Sequence, residues 1–134
     1  MDLPPGTAAC VKARARSRPR AAYPYTFFSR YDEKPGTNPE ELLGAAHAAC
    51  FTMSFVRLLG MANFVPEQVD SKSEVVLDKA GDGFSITSVH LTVTAKIPGI
   101  DQAAFQSIAA KAKAGCPLSK LMNVEIGFAA TLAP

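Results

Sequence analysis

Hydrophobic and polar positions change period several times along this chain, and each change marks an element. Tyr23 to Tyr31 alternates, with Tyr23, Tyr25 and Phe27 against Thr26, Phe28 and Arg30, which predicts a strand. Asp32–Gly36 is a turn. From Leu42 to Val56 the pattern is apolar on nearly every side, and the one strongly polar residue is His47. That predicts a central helix over Thr37–Leu59 buried all round. Its start is well marked. Asn38 suits the cap, Pro39 the first position and Glu41 the capping-box position, with Glu40 and Glu41 at the positive end of the helix dipole.

Val69–Leu77 alternates again, with Val69, Ser71, Ser73, Val75 and Leu77 facing one way and Asp70, Lys72, Glu74 and Asp78 the other. Ala80–Gly83 is a hairpin turn. The return strand shifts phase near Ser88: Phe84 and Ile86 lie on one face, then Val89, Leu91, Val93, Ala95 and Ile97 on the other, which predicts a bulge or a long strand that passes from one packed layer to another. After Pro98–Gly99, Asp101 caps a helix that ends at Gly115. Cys116 and Pro117 open a short helix through Met122. Val124–Leu132 closes the chain as a strand. Antiparallel strands with two substantial helices give an α+β fold, with antiparallel sheets wrapping the central helix.

Composition narrows the functional classes. A chain of 134 residues is one domain. Leu42–Val56 is 15 residues long, short of the roughly 18 that suggest a membrane span, and the first thirty residues hold no signal-peptide core. Net charge is +2, but residues 1–22 hold five basic groups against Asp2. The remainder, with nine basic and eleven acidic residues, does not recommend a nucleic-acid partner. Residues 1–22 form an atypical basic segment expected to lack stable structure, and residues 23–134 form the folded domain. Three cysteines, Cys10, Cys50 and Cys116, are too few for a disulfide-stapled secreted scaffold, so a reducing cytoplasm is expected.

Thiol chemistry then becomes the question. Cys116 at a helix N-terminus gains from the dipole and the free amides, which lower a thiol pKa. Cys50 lies three turns into its helix and needs a cation from elsewhere, for which Arg30 is the candidate. A guanidinium taken from water needs a carboxylate in turn, and Glu40 or Glu41 is available. Glu40 is ten residues from Cys50, about 15 Å along a helix axis, so it acts on the arginine or on a second subunit's site. The bland readings stand beside these. A buried cysteine is most often packing. A shared metal on His47, Cys50, Cys116 and His90 lacks any CxxC-type pair. Read from residues alone, the chain offers a two-cysteine thiol site of open activity.

Three stretches carry a resemblance: GTNPEELLGAAHAACF (36–51), IPGID (97–101) and KAKAGCPLSK (111–120). They resemble the OsmC/Ohr hydroperoxide reductases, in the osmotically inducible protein C branch, and the similarity runs from about Tyr25 to the C-terminus. The resemblance implies a cysteine-based peroxidase with no metal, haem or flavin. It makes Cys50 the peroxidatic cysteine, Cys116 the resolving one, Arg30 the activating cation and Glu40 the carboxylate that orients it. An organic hydroperoxide is then the substrate, with Leu43, Ala46, Phe51 and Met53 as its apolar lining. A dihydrolipoyl-type dithiol is the reductant, and an intertwined homodimer the assembly. Residues 1–22 depart from the family, whose opening strands are not recognisable there. Two rival classes are a non-catalytic stress or ligand-binding protein and a thiol redox sensor.

Overall fold

The structure is a computed structural model, and it describes residues 10–11, 25 and 36–134. Elements run in the order β1 (Cys10–Val11), α1 (Pro39–Met61), β2 (Gln68–Ala80), β3 (Gly83–Lys96), α2 (Gln102–Gly115), α3 (Pro117–Leu121) and β4 (Ile126–Leu132). The strands form one sheet in the order β1-β2-β3-β4. β1 falls inside the segment expected to be unstructured, where Cys10 and Val11 pair with Lys72 and Ser71. Of the strand expected over Tyr23–Tyr31, only Tyr25, bridged to Thr37, is among the described residues.

β2 and β3 form a long antiparallel hairpin through the turn at Gly81, whose φ of 59° suits a residue without a side chain. Its register shifts between Val76 and Leu77. Val76 faces Ser88 and Leu77 faces Ile86, so Thr87 is the extra residue. This bulge is the phase change expected near Ser88, and it lets Leu77 and Ile86 oppose each other although β3 has changed parity.

β4 runs parallel to β3, which corrects the all-antiparallel expectation. Alternation identifies a strand but not its direction, and the connection supplies the reason. Parallel neighbours need a long crossover, and α2 and α3 are that crossover. Asp101 starts it, its carboxylate accepting from the Ala104 amide at 2.7 Å. The crossover lays α2 beside α1 on one face of the sheet, and it returns the chain past α1 at Cys116.

The core lies between the two helices and that face. Phe51, Phe55 and Leu59 of α1, Leu91, Val93 and Ala95 of β3, and Phe105, Ala109 and Ala112 of α2 are all buried. Phe51 stacks on Phe55 with centroids 5.7 Å apart and meets Phe128 edge-on at 5.6 Å, while Phe55 meets Phe105 edge-on at 5.9 Å. Full burial of such rings contributes roughly 1.5–3 kcal/mol each.

α1 begins as its sequence dictates. The Asn38 side chain accepts from the Glu41 amide at 2.8 Å, and Glu41 accepts from the Thr37 hydroxyl at 3.0 Å. The expectation of burial on every side does not hold within one chain. Leu42, Met53, Val56 and Met61 are 56, 74, 40 and 68% exposed. At 100° per residue, Leu42, Ala46, Met53 and Val56 fall on one side, away from the sheet. By length and composition α1 is apolar enough to cross a bilayer, but its opposite side is fully used as core.

Candidate active site

Helix geometry places Cys50 at the seam between the core side of α1 and its bare side, and the residue is half-buried. Cys116, fully buried, ends α2 and precedes α3, where Pro117 fills the first helical position. The two sulfurs lie 3.2 Å apart as free thiols. The distance is roughly 1.2 Å longer than a disulfide bond. Whichever sulfur keeps its proton donates to the other.

Their electrostatics differ. Burial pushes the Cys50 thiol up. The Leu118 amide pulls it back in part, the neighbouring Cys116 raises it again, and the net shift is upward. Burial also acts to raise Cys116. There it is outweighed by the Ser119 amide and hydroxyl, the Cys50 thiol and the Leu118 amide, and the net shift is downward. Among the described residues, then, the thiolate is favoured on Cys116, and no cation of α1, α2 or α3 acts to lower Cys50.

The remaining expected site residues scatter. Arg30 lies outside the described residues. Glu40 is buried at the start of α1, and its ten-residue separation from Cys50 keeps it out of direct reach of the sulfur. Leu43, half-buried, and Ala46 and Met53, exposed, share the Cys50 side of the helix. Phe51 does not. It is turned 100° from Cys50 into the core against Phe55 and Phe128, so in this chain it packs the fold rather than lining an approach to the sulfur. A cavity of about 190 Å³ opens one turn further along α1, between Ser54, Arg57 and Leu58 on one wall and Lys111, Ala112 and Gly115 on the other. No group of three or more His, Cys, Asp or Glu among the described residues could hold a metal.

The sequence pattern offers His47 only as a metal ligand, and the structure gives it other neighbours. It is fully buried, with Nδ1 2.7 Å from the Ser73 hydroxyl and Nε2 2.9 Å from the Ser119 hydroxyl. Burial lowers its pKa, so the ring is neutral at pH 7. Beside it, the Thr52 and Ser71 hydroxyls meet at 2.6 Å. A signal for this cluster is present in the strand pattern. Two serines at inward positions of β2, Ser71 and Ser73, require polar partners, and α1 holds few candidates.

Comparison with known proteins places this arrangement. The family model described as OsmC-like protein matches residues 31–129. The chain is 50% identical over 103 residues to Peroxiredoxin OsmC of Escherichia coli K12, covering 77% of this chain and 72% of that protein. It is 34% identical over 99 residues to the Organic hydroperoxide resistance protein of Xanthomonas axonopodis pv. citri, covering 73% and 68%. Among solved structures, an organic hydroperoxide resistance protein OsmC from Legionella pneumophila superposes with a TM-score of 0.60 at 30% identity, covering 74% and 72%. The OsmC-like protein of Mycoplasma pneumoniae reaches 0.67 at 15% identity, covering 74% of each chain, a likeness of fold. The chain belongs to the OsmC family.

Proposed function

We propose that this protein is a cysteine-based peroxidase that reduces organic hydroperoxides in the response to oxidative stress. The observation that carries the reading is the pair of free sulfurs, 3.2 Å apart, with one of them at a helix N-terminus. Relatives named peroxiredoxin and organic hydroperoxide resistance protein support it. The Cys50 thiolate attacks the peroxide O–O bond. That bond breaks, the alkoxide leaves and takes a proton to become the alcohol, and Cys50 is oxidised to a sulfenic acid. The Cys116 thiolate then attacks the Cys50 sulfur, the S–S bond forms, and the hydroxide leaves with a proton as water. A dithiol of the dihydrolipoyl type reduces the disulfide by exchange and is itself oxidised to a cyclic disulfide. No step needs a metal or an organic cofactor.

The first step requires a cation at Cys50, because burial and Cys116 both hold its proton on. Arg30, matching the arginine of the family pattern, fills that role in this reading, with Glu40 orienting it. Leu43, Ala46 and Met53 give an organic peroxide an apolar approach.

The reading includes a homodimer. Leu42, Ala46, Met53 and Val56 leave an apolar side of α1 uncovered beside Cys50, a surface that a second copy would bury. Met53→Glu is expected to shift sedimentation toward the monomer and to weaken peroxide turnover. Operation in the cytoplasm follows from the need to return both cysteines to thiols.

Mass spectrometry after one equivalent of cumene hydroperoxide tests the proposal. A Cys50–Cys116 disulfide, lost again on adding dihydrolipoamide, is the expected product. Unmodified cysteines would favour a non-catalytic binding protein, and mixed products at Cys10 would indicate nonspecific oxidation.

A further inference from the structure

The peroxidase reading leaves one cavity with no task, and that cavity opens near the sulfurs. It measures about 190 Å³ and lies between Ser54, Arg57 and Leu58 of α1 and Lys111, Ala112 and Gly115 of α2. Helix geometry sets its direction. At 100° per residue, Ser54 and Arg57 return to within about 40° and 20° of Cys50, so the three share one stripe of α1. Lys111, Ala112 and Gly115, three and four residues apart, share a stripe of α2 that ends next to Cys116. Each wall therefore begins within a turn of a cysteine and runs away from it.

The charges on these walls have one sign. Arg57 and Lys111 are both exposed, and neither makes an ion pair or a side-chain hydrogen bond among the described residues. Lys113, by contrast, sits over the Phe128 ring. No Asp or Glu occurs from Leu42 to Pro66 or from Gln102 to Val124, so neither helix offers a counter-charge along this length. Two cations facing one cavity repel each other, and an anion between them removes that cost. Ser54 adds a hydroxyl donor, while Leu58 and buried Ala112 add apolar wall. A cation pair, a hydroxyl and an apolar wall suit a carboxylate on a carbon skeleton better than a bare inorganic ion. The volume is below the roughly 300–1,000 Å³ of a pocket that encloses a drug-sized ligand. It takes the acid end of a molecule, and the rest leaves along the stripe toward Cys50, about 10 Å from Arg57 along the axis.

Deepening the peroxidase reading and resting on it, we propose that Arg57 and Lys111 form a carboxylate-binding subsite that holds a reactant of the thiol pair by its acid end. The guanidinium takes the carboxylate through parallel N–H bonds, and the ammonium adds a further charge-assisted one. No bond of the carboxylate is made or broken, so the subsite sets position and selectivity only. The carboxylate belongs to the hydroperoxide or to the dithiol that follows it, and kinetics tell the two apart.

Binding is read without turnover. Octanoate should protect Lys111 from acetylation by acetic anhydride by about threefold or more in mass spectrometry, and octanamide should not. Arg57→Met, which keeps most of the aliphatic stem, should abolish that protection. Equal labelling of Lys111 in the presence of octanoate and octanamide overturns the proposal.

Selectivity is read as a ratio of kcat/KM values, which cancels any general effect of a substitution on the thiols. One arm fixes dihydrolipoamide as reductant and compares cumene hydroperoxide carrying a para carboxylate with its methyl ester. The other fixes cumene hydroperoxide and compares dihydrolipoate with dihydrolipoamide. A preference of about tenfold for the acid is expected in one arm, and that arm identifies the owner of the carboxylate. Arg57→Met and Lys111→Met should each lower the ratio by about threefold, and the double variant should bring it near one. Both side chains are exposed, so these variants keep the core intact. Lys79→Met removes the same charge from an exposed place on the hairpin and should keep the preference. An equal loss in Lys79→Met would trace the preference to overall charge and overturn the proposal, as would no preference in either arm. A wild-type chain that consumes none of these peroxides would defeat the peroxidase reading, while the protection of Lys111 would still decide whether the subsite exists.

Discussion

Cys50 and Cys116 are near enough to touch, yet their surroundings oppose each other. Cys50 lies in mid-helix, where every backbone amide is already committed to the turn before it and no local donor is left for a negative sulfur. Cys116 lies at a junction of two helices, where the first amides of α3 have no partner within their own helix and, with the Ser119 hydroxyl, favour a negative sulfur. Burial acts against ionisation in both places, and the supply of donors decides the sign of the shift. The difference teaches that, in the proposed mechanism, the thiol assigned to the resolving step is prepared by its own helix, whereas the thiol assigned to the peroxide must borrow its activation from another part of the chain.

The largest effect expected of any change is on turnover. Cys50→Ser should abolish hydroperoxide consumption in a ferrous oxidation assay, and residual turnover would mean that Cys116, the better-prepared thiolate, attacks peroxide itself. Cys116→Ser should consume one equivalent of peroxide and stop, with Cys50 trapped as a dimedone adduct. Continued turnover would show that the reductant reaches the sulfenic acid directly and that the paired geometry is dispensable.

Smaller effects separate the scaffolds of the two sulfurs. Phe105→Ala removes the ring of α2 that meets Phe55 and should cost about 3–5 kcal/mol in urea unfolding. Because α2 carries the chain to Cys116, disulfide formation should slow in that variant more than Cys50 oxidation. The mildest test uses pH. The folded-state pKa of His47 is lowered, so the unfolded chain binds a proton that the folded chain resists, and the stability tied to a neutral ring is lost as pH falls below 6.5. The slope for one group is at most about 1.4 kcal/mol per pH unit. His47→Gln should flatten that part of the profile, and an unchanged profile would show that the ring is charged or solvated in the folded protein.

Much of this architecture is legible in the residues, and what is not has definite physical causes. The caps at Asn38 and Asp101, the proline openings at Pro39 and Pro117, and the bulge near Ser88 are local signals, and the structure repeats them. The direction of β4 and the bare side of α1 are tertiary facts. An apolar helix reads alike whether its last side meets its own sheet or is left open. The sulfur pairing enters through family resemblance, since 66 positions separate the two cysteines and no periodicity spans them. Phe51 is misplaced by the same reasoning because hydrophobicity near a reactive residue says nothing of which side of the helix it takes. Of the partners of His47, Ser73 is hinted at by its inward place on β2, while Ser119 stays hidden because it comes from α3, 72 positions away in the chain.

The separation that hides the pairing has a thermodynamic consequence. A covalent link between Cys50 and Cys116 closes a loop of 66 positions, which by chain entropy alone disfavours the denatured ensemble by about 4 kcal/mol. The oxidised enzyme should therefore melt well above the reduced one. A thermal shift measured in crude extract would then report how much of the protein is waiting for electrons.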